Sequence, residues 1–260
     1  MRYYYEENIA RWESVKAEGK THEGKGFDEF ASRSFLEAAL PRLFFSVPNP
    51  LVLEVGCGTG AGACFLADRG FRVDGIDIIR TAVDIARQVA AERNLEIHYA
   101  VQDICRLPRQ GKMYDMVVDS YCLQGIVLDG DRARVFSNVR ARMMAEGYYL
   151  VSTAMFDERR FCKEDTVFDR ASGILYNHYG ENGIIDAETG LVYVELAKQP
   201  ADCEDAMSIE GKSYLPNRRH LKAPALKAEL EAAGFSVLYQ SGDYGENVVC
   251  VHACSGTRLR

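Results

Sequence analysis

Residues Leu51–Val55 (LVLEV) form a short, mostly apolar run, and glycine then stands at every second position: Gly56, Gly58 and Gly60. A run of this kind ending in bare backbone predicts a buried strand, a tight loop and the start of a helix. The hydrophobic pattern then alternates between the two periods. Residues 61–69 and 80–93 read as helices, the second with Ala82, Ile85, Ala86, Val89 and Ala90 on one side. Residues 71–76 form a second strand-like run, and Leu95, Ile97, Tyr99 and Val101 alternate as a third. Residues 113–118 predict a fourth strand. Residues 132–145 predict a helix that turns Val135, Phe136, Val139 and Met143 inward, and 148–153 a fifth strand. Strands alternating with helices imply a mostly parallel, doubly wound α/β sheet.

The flanks depart from this rhythm. Residues 1–46 read as amphipathic helix broken at EGKTHEGKG, with Phe27, Phe30, Phe35, Leu36, Leu40 and Leu43 near helical spacing. After Met155, residues 157–220 carry ILYNHYG and GLVYVEL around the turn-rich DAETG, which predicts an inserted β-hairpin after the fifth strand. Pro224 then opens a helix bearing Leu226 and Leu230, and Gly234 is placed to end it. FSVLYQ and NVVCVHA close the chain as an antiparallel pair. The expected organisation is one domain over residues 1–260, with a helical segment at 1–46 and an insertion at 157–220.

Bulk properties narrow the function. A net charge of −7 gives no attraction to phosphate backbones or anionic membranes, so neither nucleic acid nor membrane is expected as a partner. No apolar run approaches the roughly 20 residues of a membrane helix. The opening MRYYYEENIARWESVK lacks the apolar centre of a signal peptide, so the cytoplasm is the expected compartment. The 8 cysteines include no CxxC pair and read as small buried hydrophobes. Cys250, His252 and Cys254 would share one face of a strand, but no fourth ligand is evident; strand packing and no metal are expected.

The glycine loop alone leaves its ligand open, because Gly56-Cys-Gly58-Thr-Gly60-Ala61 also satisfies a dinucleotide-binding pattern. Asp77, at the end of the second strand, suits a ribose in either case. Other features separate the two. Some fifty residues precede the loop, Asp103 and Ile104 follow the third strand where an adenine could be held, and the chain ends helix, AGF, strand, turn, strand. LEVGCGTG, GID, QDI, YDMVVDSYCLQGI and AELEAAGF together resemble the successive motifs of the class I S-adenosylmethionine-dependent methyltransferases, over about residues 50–155 and 222–254.

The resemblance implies a Rossmann-like, seven-stranded sheet and S-adenosyl-L-methionine as cofactor. It places Glu54 near the cofactor's amino group, and Gly56, Cys57, Gly58 and Gly60 against its methionine part. Asp77 would take the ribose hydroxyls and Ile78 would pack on the adenine. Asp103 and Ile104 would hold the adenine end, and Ser120 would bring backbone toward the methionine portion. Gln124 stands where many relatives have histidine, so no catalytic histidine carries over there. For the acceptor, the unmatched segments are expected over the carboxyl ends of the strands. They supply His178 and His220 which, with Tyr121, are candidates for proton handling. Tyr4, Trp12, Gln124, Tyr179 and Arg218 are candidates for acceptor contact, though a tyrosine or arginine taken singly reads better as packing or solvated surface. The expected function is methyl transfer to a nitrogen or oxygen of a small molecule under a lid formed by 1–46 and 157–220. Protein or RNA methylation, non-catalytic cofactor binding and, last, a dehydrogenase stand as alternatives; a homodimer is left open.

Overall fold

A computed structural model describes residues 4–22, 26–108, 110–196, 206–254 and 259 of the chain. Two helices come first, α1 (Tyr4–Ala17) and α2 (Arg33–Ala39). The strand–helix alternation follows: β1 (Leu51–Val55), α3 (Ala61–Ala67), β2 (Arg72–Asp77), α4 (Arg80–Glu92), β3 (Ile97–Val101), β4 (Tyr114–Ser120), α5 (Asp129–Arg142) and β5 (Met143–Ser152). Every residue of β1 is buried, as a strand covered on both faces requires. Helix α5 carries Asp129 and Asp131 in its first turn and Arg140 and Arg142 in its last, complementing its dipole. It ends three residues earlier than the apolar spacing predicts, and β5 begins correspondingly earlier.

The insertion is larger than a hairpin. ILYNHYG and GLVYVEL do not pair with each other as expected: a further strand, β8 (Gly183–Ile185), lies between them and makes the hairpin with β9 (Leu191–Leu196), turned by residues 186–190. There the Asp186 carboxylate accepts from the Glu188 amide at 2.9 Å and the Thr189 hydroxyl at 2.7 Å. With β6 (Phe161–Asp169), β7 (Ile174–Tyr179), β10 (Met207–Ile209) and β11 (Lys212–Arg219), it forms an antiparallel six-stranded sheet in the order β10-β11-β9-β8-β7-β6.

The chain then returns through α6 (Ala223–Ala232), β12 (Phe235–Ser241) and β13 (Asn247–His252). Gly234, at φ +87°, makes the left-handed turn out of α6. The first sheet is thereby completed as β12-β13-β5-β4-β1-β2-β3, seven strands of which only β13 runs antiparallel to its neighbours. One face packs Val117, Val135, Phe136, Leu226 and Phe235; the other packs Leu36, Val52, Leu66, Val83 and Tyr148. Strand β13 ends at His252, so the exposed Cys254 lies beyond it while Cys250 is buried within it. Among the described residues no group of three His, Cys, Asp or Glu side chains is arranged for a metal, and no helix is long and apolar enough to cross a membrane.

The second sheet is fastened to the first beside the carboxyl ends of β1 and β4. Met155 and Leu221 form a parallel bridge, and the Phe156 amide donates to the Leu221 carbonyl at 3.0 Å. Arg219 donates to the carbonyls of Thr189 at 3.1 Å and Val127 at 3.2 Å and pairs with Asp129. One guanidinium thus ties the hairpin turn of the insertion to the β4–α5 connection.

Candidate active site

The loop between β1 and α3 is shaped by its glycines. Gly56, Gly58 and Gly60 sit at φ +62°, +53° and +87°, a region that residues with a Cβ enter at a cost. The Cys57 amide donates to the Ile76 carbonyl at 3.0 Å and the Gly58 amide to Asp77 Oδ2 at 2.9 Å, tying the loop to the end of β2. Asp77 Oδ1 accepts from the Ile79 amide at 2.8 Å. Each oxygen keeps a second lone pair, so the carboxylate is held in place and can still accept.

A cavity of about 560 Å³ opens at this end of the sheet. Its wall includes Glu54, Gly56, Cys57, Gly58, Asp77, Ile78, Asp103, Ile104 and Ser120, nine of the ten positions to which the sequence motifs assign the cofactor. Gly60 is not on the wall. A Cβ there would lie 2.4 Å from the Tyr99 hydroxyl, so its bareness serves helix-to-strand packing. Asp103 Oδ1 accepts from the Cys105 amide at 2.8 Å. The Ser120 hydroxyl bonds the buried Ser32 hydroxyl at 2.8 Å, which anchors the start of α2 at the tip of β4.

Two carboxyl groups, Glu54 and Asp77, line the floor, and a third, Asp119, is buried off the wall where its charge reaches Glu54. Glu54 is 1% exposed; burial above all, and then the charges of Asp77 and Asp119, push it up to about 8 against the pull of the Ala63 amide. Asp119, also 1% exposed, is pushed up to about 7 by burial, although its Oδ1 accepts from the Cys122 and Leu123 amides at 2.8 and 3.1 Å. Burial raises Asp77 too, opposed by the Ile79 and Gly58 amides and the Arg11 guanidinium. Among the described residues Glu54 Oε2 and Asp119 Oδ2 are buried with no hydrogen-bond partner. Buried acceptors left unmatched cost stability, and a cation or donor brought to the cavity would satisfy Glu54 on its wall. An ammonium and a sulfonium on one ligand fit this floor. S-adenosylmethionine carries both.

The cavity is roofed by elements outside the strand–helix alternation. Helix α1 contributes Asn8, Arg11 and Trp12, with a Trp12 ring carbon 3.4 Å from where a Gly58 Cβ would stand. His22, Phe30 and Ser32 lie on the wall between α1 and α2, and Asn217 and Arg218 enter from β11. Tyr121 and Gln124 line the side after β4. Tyr121 holds φ +65°, a conformation worth roughly 1–2 kcal/mol of strain for a residue with a Cβ, and its amide donates to the Ser152 carbonyl at 2.7 Å.

Of the residues the sequence singled out for the acceptor, Tyr121, Trp12, Gln124 and Arg218 therefore meet at the cavity, whereas His178, Tyr179 and His220 are not on its wall. His178 sits in β7 opposite Ile184. Tyr179 and His220 are buried together, with Tyr179 Oη and His220 Nδ1 3.2 Å apart. Burial, reinforced by Arg160 and Arg218, depresses His220 to about 4 and keeps it neutral. Tyr4 opens α1, but its side chain lies outside those described, as does Tyr3 altogether. Residues with no sequence signal, Asn8, Arg11, His22, Ser32 and Asn217, join the wall through tertiary placement. Asp119 had one: an acid at the end of a strand that leads into a site loop.

Residues 52–147 match the sequence profile of a family described as a methyltransferase domain. Over 102 residues the chain is 31% identical to a ubiquinone biosynthesis O-methyltransferase of Coxiella burnetii (strain Dugway 5J108-111); the match covers 39% of this chain and 42% of that protein. The chain thus spans less than half the length of this curated relative. Among solved structures, the CcbJ methyltransferase from Streptomyces caelestis superposes with a TM-score of 0.61 at 20% identity, over 89% of this chain and 94% of that one. An S-adenosylmethionine-dependent methyltransferase from Clostridium acetobutylicum ATCC 824 does so at 0.58 and 14% identity, over 95% and 97%. At these identities the structures speak for the fold, and they agree with the profile match and with the glycine loop, Asp77 and Asp103 around one cavity. Residues 52–147 thus match a methyltransferase domain, and the seven-stranded sheet built on them has the Rossmann-like fold of the S-adenosylmethionine-dependent methyltransferases.

Proposed function

We propose that the chain binds S-adenosylmethionine on the floor of this cavity and directs its methyl group to a nitrogen or oxygen of a small molecule held under α1 and β11. The observation that carries this reading is that one cavity joins both halves: the glycine loop with Glu54, Asp77 and Asp103 below, and Trp12, Tyr121, Gln124, Asn217 and Arg218 above. When bound, the cofactor supplies a methyl group already activated on a positive sulfur. What remains for the protein is to orient the acceptor and exclude water.

Asp77, fixed by two backbone amides, is placed to accept from a ribose. Asp103, whose Oδ1 accepts from the Cys105 amide and whose Oδ2 lies 3.5 Å from Arg106 Nε, would accept from an adenine amino group. Glu54, on the wall, offers the cationic end an acceptor atom left unmatched among the described residues. Residues 157–220 and 1–46 act as the lid. The six cysteines whose side chains are described are free thiols, which fits a reducing compartment such as the cytoplasm.

The test is to screen pooled metabolites by thermal shift with S-adenosylhomocysteine present, then incubate hits with S-adenosylmethionine and follow them by mass spectrometry. A small molecule gaining one methyl supports the reading. Methyl gain only on protein or RNA would overturn the choice of acceptor class.

A further inference from the structure

Strand β11 breaks its own alternation where it reaches the cavity. Its pairing with β9 runs Leu215 to Val194 and Pro216 to Tyr193, then slips, so that Arg218 and not Asn217 pairs with Val192. Asn217 is the extra residue of a β-bulge. In a regular strand Asn217 and Arg218 would point to opposite faces; here both line the cavity. Bulges re-aim side chains in this way next to binding sites.

The backbone that presents the pair is held on both sides. Arg219 grips Thr189, Val127 and Asp129, and the His220 amide donates to the Gly190 carbonyl at 2.7 Å. Two donor-bearing side chains therefore project from a fixed ledge, the arrangement that recognition of a ligand group requires. The charge layout gives that group a sign. The acids Glu54, Asp77 and Asp103 line the cofactor end, while β11 brings a guanidinium and an amide to the roof.

We propose that Asn217 and Arg218 form a carboxylate clamp that selects acceptors carrying a carboxyl group and points their nucleophile toward the floor; this rests on the proposed methyl transfer. A guanidinium edge presents two parallel N–H donors that match a planar carboxylate, and an amide adds a third.

The experiment uses the full chain saturated with S-adenosylhomocysteine. The probes are matched sets: benzoate, benzamide and phenyl phosphate, and phenylacetate with its amide. Binding is read from the fluorescence of Trp12, the only tryptophan in the chain and part of the cavity wall. A carboxylate is expected to bind at least tenfold more tightly than its amide. Arg218→Gln should bring that ratio close to one, and Arg218→Lys should restore part of it. Asn217→Ala should weaken carboxylates several-fold, with the Kd for S-adenosylhomocysteine within twofold of wild type in all three variants, which also certifies their folding.

Equal binding of amide and carboxylate, a preference for phenyl phosphate, an unchanged ratio in Arg218→Gln, or no probe binding to the loaded protein would each overturn the clamp. Failure of S-adenosylhomocysteine itself to bind would instead strike the cofactor reading on which the clamp rests, and the two outcomes are separate signals.

Discussion

Replacing Glu54 with glutamine should make the ligand-free protein more stable at neutral and alkaline pH. Glu54 titrates near its ordinary 4.5 when unfolded and at about 8 when folded, because burial and the neighbouring acids disfavour its charge. Between those values the folded state holds a proton that the unfolded state has released, so stability falls as pH rises through this window. At about 1.4 kcal/mol per pH unit, the interval amounts to roughly 5 kcal/mol, of which about 3–4 accrues between pH 5 and pH 8. Glu54→Gln removes this dependence and keeps an oxygen to accept from the Ala63 amide. Asp119, pushed up to about 7, titrates in both proteins and largely cancels in the comparison. Urea unfolding at pH 5, 6, 7 and 8, followed by far-UV circular dichroism, gives the difference directly. The variant should gain on wild type by about 3 kcal/mol or more from pH 5 to 8, and should bind S-adenosylmethionine more weakly, the usual opposition of stability and function at a binding floor. A difference constant to within about 1 kcal/mol across that range would refute the account of Glu54 as a buried carboxyl waiting for a cation.

Other perturbations test other parts of the site. Asp77→Ala removes the acceptor of two backbone amides and the proposed acceptor of the ribose; with charge-assisted hydrogen bonds worth roughly 1.5–3 kcal/mol, calorimetry should show S-adenosylhomocysteine binding weakened by about ten- to a hundredfold. Gly56→Ala would place a methyl 2.5 Å from Cys122 Cβ at a positive φ, so cofactor binding should be lost and the Tm should drop by several degrees, for a cost of about 1–3 kcal/mol. Replacing residues 186–190 with a short Gly/Ser linker removes the Asp186 side chain that shapes the turn and so displaces the backbone carbonyls at 189 and 190 that hold β11; S-adenosylhomocysteine binding should survive and methyl transfer should not, as equilibrium dialysis and mass spectrometry would report.

The parts of the fold legible in the sequence are those whose burial leaves a periodic trace. Leu51–Val55 is buried throughout and reads as a strand at once, and the apolar stripe Ala82, Ile85, Ala86, Val89 and Ala90 marks α4. The second sheet is harder to see because its strands are half-buried and its patterns mixed. KSYLPNRR contains Pro216, which argues against a strand, yet β11 tolerates it at a position where, among the described residues, only β9 pairs with it. The cofactor wall was legible because its residues follow strands in sequence order. The roof was not, because Asn8, Arg11, His22 and Asn217 meet only through packing of α1 and β11 over the sheet. His178 and His220 attract notice as titratable residues, but β7 directs one to the second sheet and burial with Tyr179 holds the other. Residue type alone cannot report either.

The central claim is that this cavity is built for S-adenosylmethionine. The most direct measurement is calorimetric titration of the full chain with S-adenosylhomocysteine and, separately, with NAD. The account predicts saturable one-to-one binding of S-adenosylhomocysteine that Asp77→Ala weakens, with no heat of binding for NAD. Binding of NAD without binding of S-adenosylhomocysteine would contradict it.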